Sequence, residues 1–301
     1  MVPGTTRTSR LERLAALLAV SLIAPLTFTA CAARADIAAP SERIEDAEVL
    51  LARLAETTLR RQDLSSEARV SYYGKEGARK AKAVILARRP ASLHFSVYSP
   101  SDDMLAVLAS DGERFTFFER GQASCYSGRS CAENIGRFSF FPLEGHQLVD
   151  ALLGGVPLIA ATRTSLIWDG RSGAYRLERL GDAGVLQRIW VSHGSWLVKR
   201  MEVYRGDVLE LSLAFSDIKV VSNEALAHTL DMKMPGRDVD LRVRLRDLEL
   251  NTAPSDEAFE IPCPEGTSSE RLLCYDEVPG AKPAPDTTRW APLRKEKSDG
   301  K

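Results

Sequence analysis

The sequence predicts a mainly β protein with some α, built on one large curled antiparallel sheet of about eleven strands whose concave face is covered by helices. Three observations predict it. From residue 65 onward apolar and polar residues alternate with period two in one segment after another. Turn-rich stretches of three to five residues such as DGRSG, GDAG, HGS and RGD separate those segments at short intervals. Only two stretches carry a helical period, which leaves little helix for so many strands.

The elements follow in chain order. Ser41 caps a helix over 41–61, with Glu42, Glu45 and Asp46 in its first turn and Arg60 and Arg61 in its last. Its apolar residues Ile44, Ala47, Leu51, Leu54, Ala55 and Leu59 form one face, which suits either core packing or a lid over a cavity. SSEARVSYYG, ARKAKAVILARR, SLHFSVYS, MLAVLAS and ERFTFFE read as strands, the last two joined by a hairpin at Asp111-Gly112. SCYSGRSC reads as a cysteine-closed loop. RFSFFPLEG then leads into a short helix over 145–153 that Gly154-Gly155 ends. Seven further strands run from TSLIWD to DVDLRVRLRDLEL.

In the last of these, Val239, Leu241, Val243 and Leu245 alternate with Asp240, Arg242, Arg244 and Arg246. One face is dry and the other wet. Leu248 and Leu250 fall on the opposite parity, so a bulge belongs near Arg246-Asp247. The same parity argument gathers Phe95, Val97, Leu105, Val107, Phe115, Phe117, Leu211, Leu213, Leu241 and Val243 on one concave apolar surface. That surface is either packed solid or left as a cavity, and the Leu- and Ala-rich first helix offers few bulky groups to fill it.

At the N-terminus Arg7, Arg10 and Arg13 lead into LAALLAVSLIAPLTFTA and then Cys31. A basic region, an apolar run and small residues at its end are the signature of an export signal, here residues 1–30. Residues 31–40 follow as a tether, and 279–301, rich in proline and charge, as a disordered tail. Cleavage after Ala35 is the alternative, leaving a soluble periplasmic protein. Either way four cysteines remain in an oxidising compartment. Local pairing, Cys125–Cys131 and Cys263–Cys274, is expected out of three connectivities, with 263–278 a disulfide-closed end. A metal site is not expected, because the spacing is not C-x2-C and no histidine adjoins the cysteines.

Composition narrows the function. Of 301 residues 44% are hydrophobic and 27% charged, with a net charge of −1. That balance argues against a nucleic-acid binder, and a single apolar run excludes a polytopic membrane protein. No H-E-x-x-H, G-x-S-x-G, phosphate-binding or calcium loop is present, so no enzyme activity and no cofactor are expected. His94, His146, His193 and His228 read as turn or surface residues, and Asp102-Asp103 as a solvated pair.

Two resemblances add to this. Thr29-Ala30-Cys31 resembles the bacterial lipobox, with Phe28 where lipoproteins favour Leu; it implies lipidation of Cys31 and a membrane anchor. Ala32, in place of the Asp of inner-membrane retention, implies the outer membrane. Across 41–262 the chain resembles the LolA/LolB superfamily of lipoprotein carriers and receptors. The resemblance rests on the capped helix, Arg89-Pro90, LHFSVYSP, the Asp111-Gly112 hairpin and PLEGHQLVDALLGGVP (Pro142, Leu143, Leu148, Leu153, Gly154, Pro157). Asp256, Phe259, Pro262 and Gly266 extend it to the domain's end. It implies an unclosed half-barrel with a cavity for lipid or lipoprotein acyl chains. The receptor branch carries an exposed apolar residue in the turn where this chain has Ser101, Asp102 and Asp103, with Met104 the nearest apolar group. The alternative reading is a structural or sensor lipoprotein that binds another envelope protein.

Overall fold

A computed structural model describes residues 36–75, 77–139, 143–278 and 290–291. The export signal, Cys31, Pro142 and nearly all of the expected tail lie outside the described residues. The strands are β1 (Asp63–Gly74), β2 (Gly77–Arg88), β3 (Ser92–Tyr98), β4 (Met104–Ser110), β5 (Arg114–Glu119), β6 (Ser124–Arg129), β7 (Leu158–Ile159) and β8 (Arg163–Asp169). They continue with β9 (Ala174–Leu180), β10 (Val185–Ser192), β11 (Val198–Arg205), β12 (Val208–Val221), β13 (Glu224–Met234), β14 (Val239–Leu250), β15 (Ser268–Leu272) and β16 (Trp290–Ala291). The α-helices are α1 (Ala47–Leu59), α2 (Ala132–Ser139) and α3 (Gly145–Leu152).

Fourteen strands form one sheet in the order β15-β6-β5-β4-β3-β2-β1-β14-β13-β12-β11-β10-β9-β8, while β7 pairs with β16 separately. Two antiparallel meanders, β1 to β6 and β8 to β14, meet where β1 pairs with β14. The sheet is not closed: β15 and β8 are its two edges. The curled, unclosed half-barrel expected above is therefore present.

Two strands of the large sheet, and the separate β7–β16 pair, exceed the expectation. SCYSGR, read as a loop, is β6, and it pairs antiparallel with β5 on one side and parallel with β15 on the other. Among the described strands, the β6–β15 pair is the one parallel contact in the sheet. Its formation overturns the local disulfides. Cys125 bonds to Cys263 and Cys131 to Cys274, with Cα–Cα distances of 5.7 and 6.2 Å. An extended strand rises about 3.3 Å per residue, so Cys125 and Cys131 stand roughly 15–20 Å apart, far beyond disulfide reach. The two bonds instead pin the β15 segment to the β6 segment.

Helix α1 begins later than Ser41. Its N-cap is Asp46, which accepts the Glu48 N–H at 2.8 Å. Residues before it are held extended, with the Ile44 N–H donating to the Tyr175 hydroxyl at 2.9 Å. Leu50 and Leu54 are fully buried against the sheet, and such side chains contribute about 1.5–3 kcal/mol each. The tether is docked from its far end: the Ile37 N–H donates to Gly170 O at 2.8 Å and Trp168 Nε1 to Ile37 O at 2.9 Å.

The expected bulge is where the parity change placed it. The β1–β14 register shifts between Ser65 and Glu67, opposite Glu249 and Arg246, and Asp247 takes φ 44°. After β14 the chain turns on the Asp63 carboxylate, which accepts the Thr252 and Ala253 N–H groups at 2.7 and 3.1 Å. It then crosses the convex face. Phe259 is buried there beneath the Arg88 guanidinium, 4.6 Å from its ring centroid, before the segment reaches Cys263.

Candidate functional site

The concave face of β1–β5 and β12–β14 holds an apolar cavity of about 440 Å³, within the range of small-molecule sites. Val70, Ile85, Phe95, Leu108, Phe117, Leu213, Leu230, Leu241 and Val243 form its sheet wall. Phe138 of α2, Leu143, and Leu148, Ala151 and Leu152 of α3 roof it. Helical spacing explains the roof, since positions 148, 151 and 152 recur on one face. Phe138 is set by stacking, with its ring 4.0 Å from that of Phe117 and 5.3 Å from that of Tyr126. Polar groups occur only where the cavity opens, at Tyr72, Arg79, Lys80 and Glu119, alongside half-exposed Leu105.

Of the ten residues that parity assigned to this surface, Phe95, Val97, Leu105, Phe117, Leu213, Leu241 and Val243 line the cavity. Phe115 and Leu211 are buried in the same core without reaching the open space; the Phe138 ring lies 5.9 Å from that of Phe115. Val107 is a correction. It pairs opposite Ser96 and Phe118 and so faces the convex side, where it is 4% exposed. The cause is a register shift in the β3–β4 pair: Ala106 faces Val97 but Met104 faces Tyr98. Leu105 is the extra residue, so it reaches the cavity mouth from the parity that Val107 uses to face away.

The roof is latched by a polar cluster that sequence reading missed. Arg89, after β2, pairs with Asp150 of α3, and both are largely buried. Arg89 Nε also donates to Arg61 O at 3.0 Å. Arg61 is itself fully buried and donates through Nη1 to Ala225 O at 2.6 Å; burial pulls its pKa down to about 10. Gly154, at φ 77°, passes so close that a Cβ there would lie 2.8 Å from Leu226 Cδ1. The Gly-Gly at the end of α3 is thus needed for close approach as well as for its turn.

The histidines are dispersed. His94 and His228 lie in β3 and β13, not in turns, and burial lowers the pKa of each. His94 Nδ1–H donates to Ala258 O at 2.7 Å, which ties the convex crossing segment to the sheet. Asp102 and Asp103 are exposed, paired with Lys82 and Arg120 at 2.6 and 3.0 Å. Among the described residues, the two groups of acidic and cysteine side chains close enough for a metal both contain disulfide-bonded Cys274, which leaves no thiolate to ligate. Among the described residues, no helix is long and apolar enough to cross a membrane.

No family model matches the sequence, and no curated protein sequence matches it. Solved structures do. A DUF1329 family protein from Desulfovibrio piger superposes with a TM-score of 0.50 at 15% identity, over 72% of this chain and 98% of that one. A domain assigned to outer membrane lipoprotein sorting, from Vibrio parahaemolyticus, gives 0.50 at 14% identity, over 71% and 97%. A LolA superfamily protein from Nitrosomonas europaea gives 0.49 at 13% identity, over 73% and 99%. These identities speak to architecture alone. With its unclosed sheet, its helical roof and an apolar space between them, the chain shares the fold of the Desulfovibrio piger and Vibrio parahaemolyticus proteins.

Proposed function

We propose that the protein is a cell-envelope lipoprotein that holds lipid, or the acyl chains of lipoproteins, in its half-barrel cavity. On this reading it faces the periplasm, is anchored to the outer membrane through Cys31, and works by binding and not by catalysis. One observation carries it: an apolar space of about 440 Å³ stays open beneath α2 and α3 although the rest of the concave face is filled. An acyl chain is a suitable filler, because each buried CH₂ contributes about 0.8 kcal/mol and asks for no hydrogen bond. The placement of polar groups at the mouth alone suits an amphiphile with its head outside.

Leu213, 1% exposed and on the cavity wall, is the place to test it. Leu213→Trp narrows the space while keeping it apolar. Displacing about three CH₂ groups should weaken binding of a fluorescent fatty acid about 50-fold. Circular dichroism should show the variant folded, since the cavity absorbs part of the added volume. If the wild-type protein binds no such probe and purifies without lipid, the carrier reading fails and the envelope-protein partner replaces it.

A further inference from the structure

The outer face of the sheet beside the cavity mouth carries a row of like charges. Cross-strand register sets Arg244 of β14 directly opposite Arg69 of β1, and Arg69 directly opposite Lys82 of β2. All three are exposed, and the row contains no carboxylate. One row nearer the mouth, Ser71 lies between Arg242 and Lys80. Arg242 is matched by Asp231, and Lys82 by Asp102 from a turn. Arg69, Lys80 and Arg244 make no ion pair with any described residue.

Like charges directly opposite on neighbouring strands destabilise a sheet. A chain of net charge −1 thus concentrates unpaired cations in one place and accepts a cost for it. Lys80 and Arg244 line a groove of about 320 Å³ whose other charges, Arg242 with Asp231 and Lys233 with Asp240, are paired, and which also contains Tyr73, 48% exposed. Lys80 and Leu241 belong both to this groove and to the cavity, so the charged face and the cavity mouth adjoin. Leu105, 41% exposed, marks another side of that mouth.

We infer that this face docks the protein on an anionic lipid bilayer, with Arg69, Lys80 and Arg244 meeting the headgroups and the cavity mouth brought to the membrane surface. The occupant is a bilayer and not an acidic protein, because an amphipathic Tyr lies in the charged groove and an exposed Leu at the adjoining cavity mouth, as residues at a membrane interface do. The inference rests on the lipid-binding reading for its purpose, though not for its test.

The test uses the exported full chain carrying Cys31→Ser, which removes any acyl anchor, in flotation with vesicles. Vesicles of phosphatidylethanolamine with phosphatidylglycerol should bind it, and phosphatidylcholine vesicles should not. Binding should fall steeply between 0.05 and 0.5 M salt, on the order of the screening expected for exposed charges. The further change Arg69→Gln/Arg244→Gln should weaken it about 25-fold, about fivefold per cation. Neutralising exposed Arg163 and Arg171, on the far side of the sheet, should leave it unchanged. The double variant should melt no lower than its parent, since repulsion has been relieved. It should also keep fatty-acid binding, so the docking face and the cavity are judged apart. Equal binding to both vesicle types, or undiminished binding by the double variant, would overturn the inference. So would binding to polyglutamate without binding to vesicles, which would assign the face to an acidic protein.

Discussion

Arg89 and Asp150 show what one buried ion pair asks of its surroundings. The carboxylate sits on a short helix whose other residues, His146 apart, are also buried, and among the described residues its charge is balanced by Arg89. Arg89→Met would leave that carboxylate uncompensated, and should cost about 3–5 kcal/mol in urea unfolding. Arg89→Met/Asp150→Leu should recover most of the loss, because two apolar groups need no partner. Single variants costing under about 1 kcal/mol would show that water already reaches the pair. Neither partner could be read from the sequence: an Asp in an eight-residue helix reads as its wet side, and nothing local says that the wet side is inside. Val107 went astray for a similar reason. Its parity was sound, but a single inserted residue at Leu105 reversed which face that parity meant.

Alternation was legible in β12 and, ahead of its bulge, in β14, where Leu213, Leu241 and Val243 turn to the concave side. β6 and β15 were not legible. SCYSGR and SSERL contain little that favours a strand, and their extension comes from pairing with β5 and with one another across more than a hundred residues of chain. Missing them meant missing the disulfide connectivity as well. Non-reducing peptide mapping should therefore join the peptides of Cys125 and Cys263, and of Cys131 and Cys274. A 125–131 link would refute the β6–β15 pairing itself. Once Cys125–Cys263 is closed, the second bond closes a ring of only about 20 residues, for which loop entropy predicts about 3 kcal/mol. Cys131→Ser/Cys274→Ser should lower stability by about that much in thermal unfolding while the remaining bond keeps the strand nearby.

For the molecule as a whole, sheet size, curl and the wet and dry faces could be read from alternation. Whether the concave side would be filled could not, because that depends on how far α2 and α3 stand from the sheet, which loops and the Arg89–Asp150 latch determine. Membrane attachment is tested at this scale too. Cys31→Ser should abolish labelling by a clickable fatty acid and release the chain from membranes in buffers of high salt, where surface charge is screened. Retention of the label would sink the anchor. The two free edges at β15 and β8 carry a last consequence. A closed barrel has a circumference dictated by its strand number and stagger, and it can widen only by breaking backbone hydrogen bonds. A sheet with two ends has no such hoop: it can flex like a split ring, parting its edges while every ladder stays intact. Guests of increasing girth then meet a graded elastic resistance instead of a fixed size limit.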